Sequence, residues 1–480
     1  MSKSLTVNEP QINAQSHDDI KLYFLFFAMI SVLVFILAKE ISLPRVVTIP
    51  IAVIGVFAFI YTSFAKPHIS LLILTAYAPF SRVITGQFGT QIVGLNLTNI
   101  MIIFIFIGWA FYASMNEREL FTRASISPWI LAFCVWGLFA VLRARVVYGE
   151  AYDMDSFFIL FKRWATPILL YFLGLNIVRD RESFKKVLFV IMFVTFMISL
   201  MAIRDYMNVG TGSLESSRVG GVFEQPNILG AFFVYNMFFF LGFFLYYWHS
   251  FKYWLLLIPF LAAFRGIMVT FSRGAYLAFA FGEFMTTFFR SKALFIVSSI
   301  ILISVILNPA FLPEGIQYRL SQTFSRGQVI STNVEDVTDS SAGKRMLIWQ
   351  GAIQMIKDEP LFGFGYGVFP FLIGSYVPQI KEMDAHNTYL ILAAEMGMPA
   401  LVMFLIILML VIKNSWWLLR HVEDKYFKAF ALGVLGGMFG LLVANMFGSR
   451  LNSEEVSSYF WLLSGLVMRA VIMKKNNQIV

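Results

Sequence analysis

The chain has little charge and almost no sulfur chemistry. Only 14% of its 480 residues are Asp, Glu, Lys or Arg, against roughly 25% in an ordinary soluble domain. Cys134 is the only cysteine, so neither an intramolecular disulfide nor a thiolate metal cage is available. It lies in an apolar run and reads as a small buried hydrophobe. Five histidines, His17, His68, His249, His386 and His421, are scattered along the sequence. No HExxH, no carboxylate cluster at ligand spacing, no GxSxG elbow and no Walker A sequence accompanies them. A metalloenzyme or an ATPase therefore has no footing, and no metal or cofactor is expected. The net charge of +9 is modest for this length and asks for no nucleic acid, because basic residues beside membrane spans account for it.

What is abundant is apolar. Hydrophobic residues make up 59% of the chain, 53 of them Phe, and the mean hydropathy is +0.74. A bilayer-crossing helix needs about 20 mostly apolar residues. Candidate spans fall at 21–38, 46–65, 68–80, 96–114, 126–142, 158–178, 186–204, 227–248, 252–271, 274–289, 293–312, 387–412, 427–448 and 456–473. The expected fold is an all-α polytopic membrane protein of about 12–14 transmembrane helices. The 68–80 segment is short enough to be re-entrant, and Lys162 and Arg163 delay the start of the 158–178 span.

Lysine and arginine clusters at 179–186, 290–292, 413–428 and 469–475 fall in alternate connections. Holding them in the cytoplasm places both termini inside. The expected organisation is a cytoplasmic tail at 1–20, helices over 21–312, a large periplasmic loop at 313–386, helices over 387–473 and a cytoplasmic tail at 474–480. No cleavable signal pattern is seen at the N-terminus. Within the long loop, 326–343 is polar and turn-rich. KRMLIWQGAIQMIKDEP then reads as an amphipathic helix that starts near Ser340 or Ser341 and closes at Pro360. Its apolar residues Met346, Ile353 and Ile356 are expected to rest on the membrane surface or cap a cavity. GFGYGVF at 363–369 lacks the flanking strand of a dinucleotide fingerprint and reads as a flexible turn.

The residues left to carry chemistry are cationic. SSRVGGVFEQPN sets Arg218 in a glycine-containing loop, and TFSRGAYLAF sets Arg273 between two spans separated by almost nothing. An arginine that reaches the bilayer centre costs roughly 2.5–3.5 kcal/mol on insertion scales, so such residues face a polar cavity or a partner. The plainer alternative is a snorkelling arginine at the interface. Arg265 and Glu283 lie deeper in their spans and either pair with each other or line the cavity. In DAHNTYLILAAEMG, His386 stands where soluble loop meets membrane helix. It is either an interfacial histidine bonded to a loop carbonyl or a general base. The positive end of the helix dipole favours the neutral imidazole that a base requires.

Taken together, these segments resemble the superfamily of O-antigen ligases, Wzy-type polysaccharide polymerases and protein O-oligosaccharyltransferases. His386 and Gly397 fit an H-x10-G pattern; RVGGVFEQPNILG, SRGAYLAF and RMLIWQGAIQMIKDEPLFGFGYGVF resemble its other conserved stretches. The likeness lies mainly in 216–400, and the extra spans lean toward the polymerase branch. The resemblance implies a metal-independent, inverting glycosyl transfer at the periplasmic face of the bacterial inner membrane. Its donor would be an undecaprenyl-diphosphate-linked glycan, and its acceptor a glycan or lipid A core. Polysaccharide-export and chain-length proteins are conceivable partners. In that scheme Arg218 and Arg273 neutralise the diphosphate, and His386 takes a proton from the acceptor hydroxyl. Arg345, Glu224 and Arg265 are secondary substrate contacts. A lipid-linked-glycan flippase, with arginines that recognise phosphate without chemistry, is the rival from another class; it would call for broken helices near the midplane and repeat symmetry.

Overall fold

The computed structural model describes residues 45–85, 96–209, 217–308, 310, 317, 341–380 and 382–479. The chain divides into two compact units, Met1–Phe59 and Ile60–Val480. Of the first, only the opening of helix α1 (Arg45–Ala65) is described. The second holds everything discussed below. Among the described residues there is no strand, and nine helices are long and apolar enough to cross a bilayer. The protein is an all-α polytopic membrane protein.

Among the described residues every expected span from 46–65 onward overlaps a helix or a pair of helices. Those at 46–65, 68–80, 274–289 and 293–312 are not among the nine, and most of the end of the 293–312 span lies outside the described residues. The 21–38 span, the tail at 1–20 and the polar stretch at 326–340 lie outside the described residues. In order after α1 come α2 (Pro67–Tyr77), α3 (Leu97–Met115), α4 (Ser127–Tyr148), α5 (Met154–Ala165), α6 (Leu169–Ile177) and α7 (Arg181–Asn208). Then follow α8 (Pro226–Asn236), α9 (Phe238–Tyr247), α10 (Leu257–Val269), α11 (Arg273–Arg290) and α12 (Lys292–Leu307). The last five are α13 (Ser341–Asp358), α14 (Phe369–Tyr376), α15 (Thr388–His421), α16 (Lys425–Met446) and α17 (Glu454–Lys475). With 11 residues, α2 rises only about 16 Å, too little to cross. The 158–178 span is broken at a 3-10 turn, Thr166–Ile168, where Pro167 cannot continue the hydrogen-bond ladder.

Helices α16 and α17 form the centre. Small residues let α16 approach closely: Gly437 faces the carbonyl of Tyr235, and Gly436 faces Thr286 Oγ1. In a bilayer such backbone approach replaces the hydrophobic drive that water would supply. Buried along α17 are Tyr459, Phe460, Leu462, Leu463 and Leu466.

The loop helix α13 is described over Ser341–Asp358 and ends just before Pro360, as that proline predicts. Its buried face is Ile348, Ala352 and Met355, packed with Phe369, Ile373, Ile380, Ala385 and Ile391. Met346 and Ile353 are exposed on another side of the helix, and Ile356 is partly buried against that cluster. The apolar residues thus divide between two faces.

One break organises the site. At Gly397, α15 takes φ 79° and ψ 170°, and its interrupted carbonyls find partners outside the helix. Phe364 N–H donates to Ala394 O (2.9 Å) and Gly365 N–H to Glu395 O (2.8 Å). Trp136 Nε1 donates to Met396 O at 2.7 Å, and Met398 N–H to Pro360 O at 2.8 Å. The GFGYG segment, expected to be a flexible turn, is a turn docked on this break. The glycine of the H-x10-G spacing and the glycines of the loop are two halves of one joint.

Candidate functional site

The connection before α8 and the one between α10 and α11 are zipped together by main-chain contacts. Val219 N–H donates to Val269 O at 3.1 Å. Arg218 Nε donates to Thr270 O (3.1 Å), and its Nη2 to Asn227 Oδ1 (3.0 Å). These bonds hold Arg218 beside the start of α11, where Arg273 is the first helical residue after the Ser272 cap. Sequence distance is thereby cancelled.

Two further guanidinium groups converge there. Arg345, one turn into α13, has Arg273 and Arg218 as its charged neighbours, and burial together with those two cations pushes its pKa down. Arg450, in the α16–α17 connection, is pushed down to about 10 by burial, then by Arg345, with Asp384 opposing and Arg218 adding to the depression. Its Nη2 donates to Phe447 O at 2.9 Å. Four guanidiniums from four chain segments thus share one electrostatic neighbourhood, with Asp384 the carboxylate that faces Arg450. Like charges held together in partial burial are costly unless an anion completes the set. Guanidinium is also the group best matched to phosphate oxygens.

His386 borders this cluster. Its backbone is left-handed, with φ 49°, a conformation that a non-glycine residue keeps only where its surroundings impose it. The surroundings are visible. Trp349 Nε1 of α13 donates to the carbonyl of Ala385 at 3.0 Å. Asn387 caps α15, with its side chain accepting from Tyr389 N–H and Leu390 N–H. Thr388 Oγ1 donates to Asn445 Oδ1 at 2.6 Å, tying the start of α15 to α16. Asp384 Oδ2 accepts from the His386 N–H (3.3 Å) and from Ser449 Oγ (2.8 Å), and lies 3.6 Å from His386 Nδ1.

Burial lowers the imidazole's pKa; Asp384 opposes this, and Arg345 and Arg450 add to the lowering. The net result is a neutral ring at pH 7. A carboxylate on the Nδ1 side favours the tautomer in which Nε2 keeps its lone pair. The expectation of a lowered pKa at this position is met, but burial and guanidinium charge are its chief causes.

The remaining expected residues are placed differently. Glu224 is exposed, with a left-handed backbone (φ 58°) in the Arg218 loop. Arg265 is exposed on α10 with its guanidinium 5.2 Å from the Tyr206 ring centre, while Glu283 of α11 is bonded by Ser298. Neither lines the cavity described next. Among the described residues there is no group of His, Cys, Asp or Glu able to hold a metal ion.

A cleft of about 450 Å³ adjoins the histidine. Asp384 and Ser449 form its near wall; Arg82, Arg163, Asn96, Thr98, Asn452, Glu454 and Glu455 line the rest. Arg163 Nε lies 3.5 Å from Glu454 Oε1, and Glu455 is 5% exposed.

Arg450, Asp384 and Ser449 escaped the sequence reading. Their signal was faint: GSRLNS is a polar connection between two spans, and Asp384 stands two residues before His386.

Residues 258–405 match the family described as Wzy_C, O-Antigen ligase, which bears out the resemblance seen in the motifs. The matched segment contains Arg273, Arg345, His386 and Gly397; Arg218 and Arg450 lie beyond it. No curated protein matches the chain. The match points to an enzyme of polysaccharide or lipopolysaccharide biosynthesis, working on lipid-linked glycan and an acceptor.

Proposed function

We propose that the protein is a metal-independent inverting glycosyltransferase of the bacterial inner membrane that lengthens an exported polysaccharide from an undecaprenyl-diphosphate-linked glycan. The observation that carries this reading is the convergence of Arg218, Arg273, Arg345 and Arg450 beside a neutral His386. A sugar diphosphate leaves readily only if its developing charge is met, and fixed guanidiniums meet it without reorganisation. His386 Nε2 takes the proton of the acceptor hydroxyl as that oxygen attacks the anomeric carbon. The bond to diphosphate breaks on the opposite face, so the configuration inverts. The loop 313–386 is taken to face the periplasm, in keeping with the distribution of Lys and Arg.

Polymerisation is preferred over ligation to lipid A core because the large loop 313–386 can hold a growing glycan beside the membrane. A flippase is less well supported, since phosphate recognition alone gives no purpose to a strained histidine with a carboxylate on one nitrogen. The test is purified protein given the strain's own lipid-linked glycan without ATP, metal or ion gradient. Longer chains on the lipid carrier are expected. Long chains that persist in a deletion strain, with loss only of their attachment to the final acceptor, would replace polymerase by ligase.

A further inference from the structure

The catalytic residues account for the guanidinium cluster and leave the 450 Å³ cleft without an occupant. Its chemistry differs from that of the cluster. None of Arg218, Arg273, Arg345 and Arg450 lines it; Asp384, Glu454 and Glu455 supply three carboxylates against Arg82 and Arg163. Those carboxylates oppose entry of a diphosphate. Ile228 is the one apolar residue in the lining; hydroxyls, carboxamides and charged groups make up the other positions. Such a wall matches a ligand dense in hydroxyls, because each carboxylate can accept from two or more of them and each guanidinium, with five N–H groups, can donate to several. Glu455, almost wholly buried at the start of α17, is met by its own backbone N–H and by the charges of Arg82 and Arg163, which keep a carboxylate in the cleft wall.

Its position is equally specific. Asp384 belongs to both the cleft wall and the histidine, with Oδ2 3.6 Å from His386 Nδ1. The cationic cluster and the cleft therefore meet at the Asp384–His386 pair. In a displacement the nucleophile enters opposite the leaving group, with the base beside the nucleophile.

We infer that the cleft lined by Arg82, Arg163, Asn452, Glu454 and Glu455 is the acceptor subsite. It would hold the body of a neutral glycan beyond Asp384, with the reacting hydroxyl extending past that carboxylate to His386. The inference rests on the transferase reading above. In the step, the acceptor O–H proton passes to His386, the new C–O bond forms at the anomeric carbon, and the diphosphate leaves with the electron pair of the bond it breaks.

The test uses full-length protein in detergent, labelled lipid-diphosphate glycan as fixed donor, and free glycan released from the same lipid as varied acceptor. Glu455→Gln and Asn452→Ala should each raise the acceptor KM about tenfold or more, the loss of one or two hydrogen bonds. Donor binding, read with labelled lipid alone, should stay within about twofold, which also shows that the variants fold. Unchanged acceptor KM in both variants would overturn the inference. Weakened donor binding with unchanged acceptor KM would overturn it too, and would assign the cleft to the donor's sugar. If the parent protein transfers to no acceptor at all (free glycan, lipid-linked glycan or lipid A core), the transferase reading itself fails, which is a different result.

Discussion

The guanidinium of Arg450 lies against the α-carbon of Gly448, two residues away, so that a methyl group at position 448 would overlap it. Gly448 is therefore part of how Arg450 is aimed. Gly448→Ala should displace the guanidinium and weaken donor binding, by less than the roughly tenfold to hundredfold loss in Arg450→Ala because the long side chain can swing aside. Binding of labelled donor lipid, with gel-filtration profiles as the folding check, decides it. Full affinity in Gly448→Ala would separate Arg450 from the anion site.

His386→Ala should leave expression and donor binding intact and lower transfer by about 10²–10⁴, the usual loss with a general base. Near-normal polymer in cells carrying this variant would remove the assignment.

Arg218→Lys and Arg273→Lys keep the charge and lose the planar fork, and a severe defect is expected in each. Arg218 also gives up its bonds to Thr270 O and Asn227 Oδ1, which hold the two loops together. Two lysine variants with parental affinity and turnover would contradict a diphosphate clamp.

The pH dependence has a defined sign. His386 must be neutral to act, and its pKa lies below the ordinary imidazole value of 6.5, so activity should fall on the acid side with a midpoint below that value. Asp384 raises this pKa while Arg345 and Arg450 lower it. Asp384→Asn should thus move the acid limb to lower pH, and Arg345→Gln should move it up. A kcat/KM profile of both variants checks the pair of signs, and shifts in the opposite directions would exclude His386 as the titrating base.

Gly397→Ala tests the joint between α15 and the loop. The residue has φ 79°, and a methyl group there would meet the backbone of Leu361. Left-handed strain costs about 1–3 kcal/mol, and undocking of the 360–367 segment adds to it. A lower thermal midpoint is expected, together with reduced transfer, because α13 and Ala385 are set by the same packing. An unaltered midpoint would mean that the break in α15 is not needed to hold the loop.

Membrane class, the approximate positions of the described helices and the loop helix that ends at Asp358 were legible in the sequence alone. These rest on local rules: about 20 apolar residues suffice to cross a bilayer, and a proline closes a helix whatever surrounds it. His386, Arg218 and Arg273 were legible for the same reason, as polar groups at the ends of apolar runs, where burial needs a purpose. The docking of GFGYG was not legible, because its partners are carbonyls freed by a break more than 25 residues away. Nor was the fourth arginine. Arg450 follows the α16 helix in a connection like several others, and only the packing of α15, α16 and α17 carries it to Arg345 and Asp384. The cleft is of the same kind: Arg82, Arg163, Asp384 and Glu455 come from four distant segments, and their charges acquire meaning only when tertiary contacts gather them around one cavity. Local pattern fixes which residues can be buried, whereas the field at a site is a sum over neighbours that the chain order does not contain.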